Sequence, residues 1–204
     1  MTGVQTCALP ISVRDGGRLG PVASGQVSAA LSGIRTLDQS AELSFTLSTL
    51  PTSGQIQVYV LARHQSGGDA VGARLVVRPG GAMSLQTVAI VSGTVRVVGR
   101  TATPPGVIKA GQLYTIGVQV AGTSTTRLDA RAWPSAATVP GWQVSTASTA
   151  RLVSTAGGLQ LIALNTGTTR ITVIADALVG RTTDSPTTST ASTQDGIAQP
   201  VPTI

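Results

Sequence analysis

Apolar and polar residues alternate in short runs along this chain, and turn residues separate the runs. The run AELSFTL (41–47) places Leu43, Phe45 and Leu47 on one face, and QIQVYVLARH (55–64) repeats the pattern. Successive side chains of a β-strand point to opposite faces, so a period of two indicates strands that are buried on one side. This pattern limits the chain to folds built from sheets.

About ten such runs lie between residues 41 and 180, with Gly, Pro, Ser and Thr between them. The stretch GARLVVRPGGAMSLQTVAI (72–90) predicts a hairpin that turns at Pro79, Gly80 and Gly81. Charged residues make up only 11% of the chain, and its many Thr and Val residues favour strands over helices. We therefore predict an all-β fold, in which antiparallel strands form two packed sheets without a long helix.

The two ends differ from the rest of the chain. MTGVQTCALPI (1–11) holds the single cysteine, Cys7, and matches the translation of a common short-read sequencing adapter. It lacks the basic and apolar regions of a signal peptide. We interpret 1–11 as adapter-derived. The first strand of the domain is then one that the adapter sequence could have replaced, and whether it is missing stays open. The alternative is that 1–11 is a genuine N-terminal strand. We expect the domain at 12–180 and a disordered Ser/Thr/Pro-rich linker to further domains of a parent chain at 181–204.

The second half of the domain carries an ordered series of motifs. A Tyr-led strand at Tyr114 is followed by ARAWP (130–134), PGWQ (140–143), an AGG turn (156–158) and a closing strand with Asp176. This series resembles the concanavalin A-like and laminin G-like jelly-roll modules of secreted actinobacterial multidomain proteins. The resemblance covers roughly 26–180 and implies a jelly-roll sandwich with a binding or spacer role. The closing strand departs from the usual Asp-Asn or Asp-Asp, since Ala177 follows Asp176.

The carboxylates do not follow a catalytic pattern. Jelly-roll glycoside hydrolases use paired carboxylates at close spacing on one strand, but no two acids here lie within three residues of each other. A serine or cysteine triad needs a base, and the chain has one histidine, His64, and no G-x-S-x-G elbow. We expect a protein that is not an enzyme.

Metal binding has only weak candidates. One histidine, no cysteine beyond Cys7 and scattered acids exclude an ordinary zinc site. Calcium takes oxygen ligands, and Asp69 in GGDAVG and Asp176 in the closing strand are the candidates. In the alternative interpretation Asp69 shapes a Gly-rich turn and Asp176 bonds a neighbouring loop. We expect no cofactor, with Ca²⁺ as the one open possibility.

Sugar recognition has a better candidate in WPSAATVPGW (133–142). A glycan site needs a flat ring for stacking with polar groups around it, and Trp133 and Trp142 flank this Pro-rich loop. Trp142 is the better candidate, with Trp133, Arg127 and Arg131 as further ligand-binding residues. In the alternative both rings pack over an edge of the sandwich. Tyr59 and Tyr114 are expected in the core, with their hydroxyls bonded to partners.

The net charge of +6 comes from scattered arginines rather than a cluster. Nucleic-acid binders gather basic residues and offer stacking rings, and five aromatic residues in 204 are too few for that role. No apolar run reaches the roughly 18 residues that cross a membrane. Six arginines fall on alternating positions of predicted strands: Arg74, Arg78, Arg96, Arg100, Arg127 and Arg131. If these strands are neighbours, the six form a basic strip across one sheet. The alternative is that they lie on a solvated outer face.

These observations favour a non-catalytic extracellular module that binds carbohydrate or a cell surface, within a larger secreted protein. Expected partners are a polysaccharide or cell-surface glycan and other domains of the parent chain, with neither nucleic acid binding nor membrane insertion. The alternative is a structural spacer or assembly module, of a cell surface or of a phage tail or fibre, that has no ligand of its own.

Overall fold

A computed structural model describes residues 11–22, 24–150 and 152–182. Twelve strands and one short 3-10 turn make up its regular structure; the turn is Pro79–Gly81, where the hairpin was predicted. Within the described part of the chain, no helix has the length and apolar character to cross a membrane. The strands are β1 (Ile11–Val22), β2 (Gly25–Thr36), β3 (Gln39–Leu47), β4 (Ile56–His64), β5 (Ala70–Val77), β6 (Met83–Val91), β7 (Thr94–Ala102), β8 (Tyr114–Ala121), β9 (Thr126–Pro134), β10 (Val144–Ser148), β11 (Gly157–Asn165) and β12 (Ile171–Thr182).

The strands form two six-stranded sheets. Sheet A has the order β1-β12-β3-β8-β9-β10, and sheet B has the order β2-β11-β4-β5-β6-β7. Every pair of neighbours is antiparallel. The predicted all-β sandwich of two antiparallel sheets is confirmed.

The core lies between the inner faces of the two sheets. In β3 buried residues alternate with partly exposed ones along the whole strand, so that Leu43, Phe45 and Leu47 point inward. In β4 the inner residues Val58 and Val60 belong to the same core. Each large apolar side chain contributes about 1.5–3 kcal/mol on full burial, and this gain holds the sheets face to face.

Three strands were not predicted from the pattern, namely β1, β2 and β10, and all three lie at sheet edges. An edge strand has a neighbour on one side only, and in β10 only Val144 is fully buried, so its sequence needs no strict alternation. Strand β1 begins at Ile11, the last residue of the segment interpreted as adapter-derived, and pairs Ile11 with Gly180. Strand β12 runs to Thr182. Residues 1–10 and 183–204, which carry the adapter and linker interpretations, lie outside the described residues.

One end of the sandwich is tied together by Arg63 in β4, whose side chain is fully buried. Its guanidinium donates to the carbonyl oxygens of Leu37 (2.6 Å), Gly122 (2.6 Å) and Val153 (3.0 Å). Burial lowers the pKa of Arg63, and nearby Asp38, at 3.5 Å, acts in the opposite direction. Because the three carbonyls belong to three different connections, one side chain from sheet B fixes loops that lead into or out of sheet A.

The two tyrosines are buried as expected, but only one has the expected hydroxyl partner. The Tyr59 hydroxyl donates to Gln57 Oε1 at 2.6 Å. The Tyr114 hydroxyl has no hydrogen-bond partner among the described residues, so the expectation of a partner there is wrong. Burial raises the pKa of Tyr114 to about 12, from an ordinary value of 10.0.

We expect Tyr114→Phe to raise the free energy of unfolding by about 1 kcal/mol at neutral pH, because it removes a buried hydroxyl without a partner. The folded phenol ionises near 12 and the unfolded one near 10, so the wild type loses stability as pH rises through that interval. The advantage of the variant should therefore widen between pH 9 and pH 11. Urea unfolding at both pH values measures it; a less stable variant, or a constant difference, would contradict the assignment.

Candidate ligand-binding site

Three residues in register form a row across the outer face of sheet A. Glu42 of β3 pairs with Gly117 of β8, which pairs with Arg131 of β9. A Cβ atom at Gly117 would lie 3.3 Å from Arg131 Cγ and 3.4 Å from Glu42 Cγ. Because glycine leaves this space free, Arg131 crosses the central strand and its Nη2 reaches Glu42 Oε1 at 2.6 Å.

Arg131 also contacts both tryptophans of the chain. Its guanidinium carbon lies 4.4 Å from the ring centre of Trp142 and 5.2 Å from that of Trp133. Both distances are within the range of cation–π attraction. Trp133 is 5% exposed, whereas Trp142 is partly exposed. Trp133 is therefore part of the support, and Trp142 is the ring that a ligand can reach.

The chain on both sides of Trp142 is fixed by hydrogen bonds to β9. The side-chain amide of Gln143 donates to the carbonyl of Ala132 and accepts from its N–H, both at 3.0 Å, as a paired strand would. Arg131 Nη1 donates to the Pro140 carbonyl at 3.3 Å. These bonds hold the indole of Trp142 at a set position over the sheet.

A cavity of about 190 Å³ opens beside this ring on the same outer face. Trp142, Arg131 and Glu42 line it together with Ser40 and Gln119, which supply further polar groups. Val179 and Arg181 of β12 complete the opposite wall. The site therefore combines one aromatic ring with charged, amide and hydroxyl groups in a concave surface.

Arg127 lies on the same face but apart from the cavity. It is four residues before Arg131, about 13 Å along an extended strand, and its side chain is 62% exposed. Arg127 Nε donates to Asp129 Oδ2 at 2.7 Å, while Asp129 is buried and its Oδ1 has no partner among the described residues. The structure thus brings together Trp142, Trp133 and Arg131, and leaves Arg127 outside.

Sequence reasoning missed Glu42, Gly117 and Gln119 as site residues. Their strands, β3 and β8, are separated by residues 48–113 in the chain, and only the sheet order brings them next to β9. A cross-strand ion pair with glycine between its members has no signature along the sequence.

The two candidate metal ligands stand apart from this site. Asp69 Oδ1 accepts a hydrogen bond from the N–H of Ser92 at 2.7 Å, so it supports the turn between β6 and β7. Asp176 is exposed at a bulge in β12, between Ala175 and Ala177. Among the residues that the structure describes, no group of three or more His, Cys, Asp or Glu side chains lies close enough to hold a metal ion.

The basic strip, which required its strands to be neighbours, does not form. Two of its arginines belong to β9 of sheet A, and the rest belong to sheet B or to the residue after β5, so the six do not share a sheet. Pairing of β9 with β8 and β10, rather than with β5 or β7, separates them.

No protein-family model matches the sequence, and no curated protein matches it. Solved structures match the fold. The carbohydrate recognition domain of Emp46p, in a metal-free form, has a TM-score of 0.53 at 8% identity, covering 84% of this chain and 87% of its own. The exoplasmic/lumenal domain of VIP36, in a Ca²⁺/Man2-bound form, has a TM-score of 0.51 at 13% identity, covering 92% and 87%.

A GH43 protein from Bacillus licheniformis is matched over 72% of this chain and 28% of its own length, with 10% identity and a TM-score of 0.45. Emp46p and VIP36 share the fold of this chain, a two-sheet β-sandwich, in agreement with the jelly roll that the sequence resemblance implied.

The two tryptophans should differ in their contribution to stability. We expect Trp133→Ala to lower the free energy of unfolding by about 3–5 kcal/mol, as for other buried aromatic residues. Trp142→Ala should cost only about 1 kcal/mol, the size of a partly exposed cation–π contact. Chemical denaturation of both variants measures the difference, and an equal loss in both would show that Trp142 is a core residue.

Proposed function

We propose that this domain is a non-catalytic carbohydrate-binding module, and that the glycan binds in the cavity beside Trp142. The observation that carries the proposal is the arrangement of one reachable indole ring with Arg131, Glu42 and Gln119 around a single concave surface. A sugar ring offers a flat apolar face to stack on an aromatic ring and hydroxyls at its edge to bond polar groups. Sites for small ligands have this composition.

Preorganisation supports the same site. The Gln143 bonds to Ala132 and the Arg131 bond to Pro140 fix the loop before any ligand arrives. Ordering a loop on binding costs free energy, so a loop that is already held leaves more of the contact energy for affinity. One face of the Trp142 ring is occupied by Arg131, which leaves the other face for the sugar.

The fold agrees with this role but does not carry it, because one fold hosts many functions. Emp46p is described as having a carbohydrate recognition domain, and VIP36 is described in a form bound to Man2. The VIP36 domain is also described as exoplasmic/lumenal. We propose by analogy that this domain works outside the cell or on its surface, as part of a larger secreted protein.

Ion pairing of the carboxylates supports a binding rather than a catalytic role. A retaining glycoside hydrolase needs two carboxyl groups, about 5–5.5 Å apart, that are free to act on the glycosidic bond. On the outer face of sheet A, Glu42 is paired with Arg131 at 2.6 Å and Asp129 with Arg127 at 2.7 Å. Each of these two carboxylates is therefore held in an ion pair with an arginine.

Binding to an array of neutral and acidic glycans, including mannobiose, tests the proposal. We expect Trp142→Ala to abolish retention on the glycan that the wild type binds, and Val139→Ala, an exposed change in the same loop, to leave retention unchanged. EDTA should have no effect, because neither Asp69 nor Asp176 lines the cavity.

Three outcomes would contradict the proposal. If the wild type binds nothing on the array, the spacer or assembly module becomes the better interpretation. If Trp142→Ala binds as well as the wild type, the glycan site lies elsewhere on the domain. If EDTA releases the glycan, the site includes a metal that the cavity residues do not explain.

A further inference from the structure

The acidic residues of the strands are divided unequally between the sheets. Every strand carboxylate belongs to sheet A; these residues are Asp15, Glu42, Asp129 and Asp176. The strands of sheet B contain no Asp or Glu, yet they carry the arginines Arg35, Arg63, Arg74, Arg96 and Arg100. Of these five, only Arg63 forms an ion pair with a carboxylate among the described residues, and its partner is Asp38. The strands of sheet B therefore carry a larger excess of positive charge than those of sheet A.

Arg74 lies on the outer face of sheet B and is held by neutral groups alone. Its Nε donates to Gln86 Oε1 at 2.9 Å, and its Nη2 donates to the same oxygen. Its Nη1 donates to Gln57 Oε1 at 3.2 Å and to the Tyr59 hydroxyl at 3.3 Å. These bonds use four of the five N–H groups of a guanidinium, so the side chain is fixed while one N–H of Nη2 remains.

The charge of Arg74 is not balanced within the described part of the chain. Among the described residues, no carboxylate oxygen lies within ion-pair distance of Arg74. Arg127 and Arg131, by contrast, each pair with a carboxylate. The amide oxygen of Gln86 occupies the Nε–Nη2 edge, where arginine commonly binds a carboxylate. A fixed cation with a neutral amide in that position attracts an anionic group from outside.

The neighbours of Arg74 extend this surface. Arg78 is exposed four residues further on, about 13 Å along an extended chain, and its Nη1 donates to Ser84 Oγ at 3.2 Å. Beside Gln86, the exposed Thr101 accepts a hydrogen bond from Gln86 Nε2 at 3.0 Å. The surface therefore offers separated positive charges with amide and hydroxyl groups between them.

We propose that the outer face of sheet B binds an acidic polysaccharide, with a uronic acid carboxylate at Arg74. The hydroxyl groups of the polysaccharide would form hydrogen bonds with the side chains around Arg74, namely Gln57, Gln86 and Thr101. A single-stranded nucleic acid fits less well, because its bases need exposed rings for stacking, and the ring of this network, Tyr59, is only 2% exposed. This site lies on the opposite outer face from the Trp142 cavity and is independent of it.

Calorimetric titration with polygalacturonate tests this proposal, using Gln86→Glu as the decisive variant. The substitution keeps the shape of the side chain and supplies Arg74 with an internal carboxylate. We expect affinity to fall about tenfold or more, the size of one lost hydrogen bond to a charged group, while the melting temperature stays equal or rises. Arg170→Gln is the matched control, since it also lowers the net charge by one but at an exposed turn residue, and it should bind as the wild type does.

The outcomes separate this site from the proposed glycan cavity. Equal binding by Gln86→Glu and the wild type would overturn the Arg74 site, and so would an equal loss in Gln86→Glu and Arg170→Gln, which would indicate a general charge effect. If Trp142→Ala loses affinity for polygalacturonate and Gln86→Glu does not, the polymer binds in the cavity of sheet A. Tighter binding of single-stranded DNA than of polygalacturonate, with the same sensitivity to Gln86→Glu, would replace the polysaccharide by a nucleic acid.

Discussion

Packing of the two inner faces against each other is the interaction on which the rest of this structure depends. The core is almost wholly aliphatic, with Phe45 and Tyr114 as its large rings. Because the side chains of a strand alternate, every second residue is committed to this core. On the outer face of sheet B a second apolar cluster that includes Tyr59, Leu61 and Ile162 is also buried, and the remaining outer positions carry charge and polarity. The Glu42–Gly117–Arg131 row and the Arg74 network both occupy such outer positions.

The outer faces differ in how their arginines are balanced. On sheet A, Arg127 and Arg131 each pair with a carboxylate, and the second of these pairs supports the ring of Trp142. On sheet B, Arg74 is fixed by neutral oxygens only. Under the proposals made above, a neutral sugar ring would stack on the first face, and an acidic chain would bind the second.

Local patterns predicted the central strands, because the residues that face the core between the sheets are regularly apolar. The turn at Pro79–Gly81 was also predicted from the sequence. The burial of Trp133 was predicted as well, because the inward-facing residues of its strand are small. The edge strands β1, β2 and β10 were missed, since a strand with a neighbour on one side only needs no strict alternation. Arg63 was missed because its partners come from three connections, and Glu42 because only the sheet order brings it to Arg131.

The central claim is that Trp142 meets a glycan while Trp133, buried beside Arg131, supports the site. The chain has two tryptophans, so a ¹H–¹⁵N NMR spectrum contains two indole N–H signals, which the single variants assign. On titration with the glycan selected from the array, the account predicts that the Trp142 signal shifts with saturation and that the Trp133 signal stays nearly fixed. Saturable binding that leaves the Trp142 signal in place would contradict it.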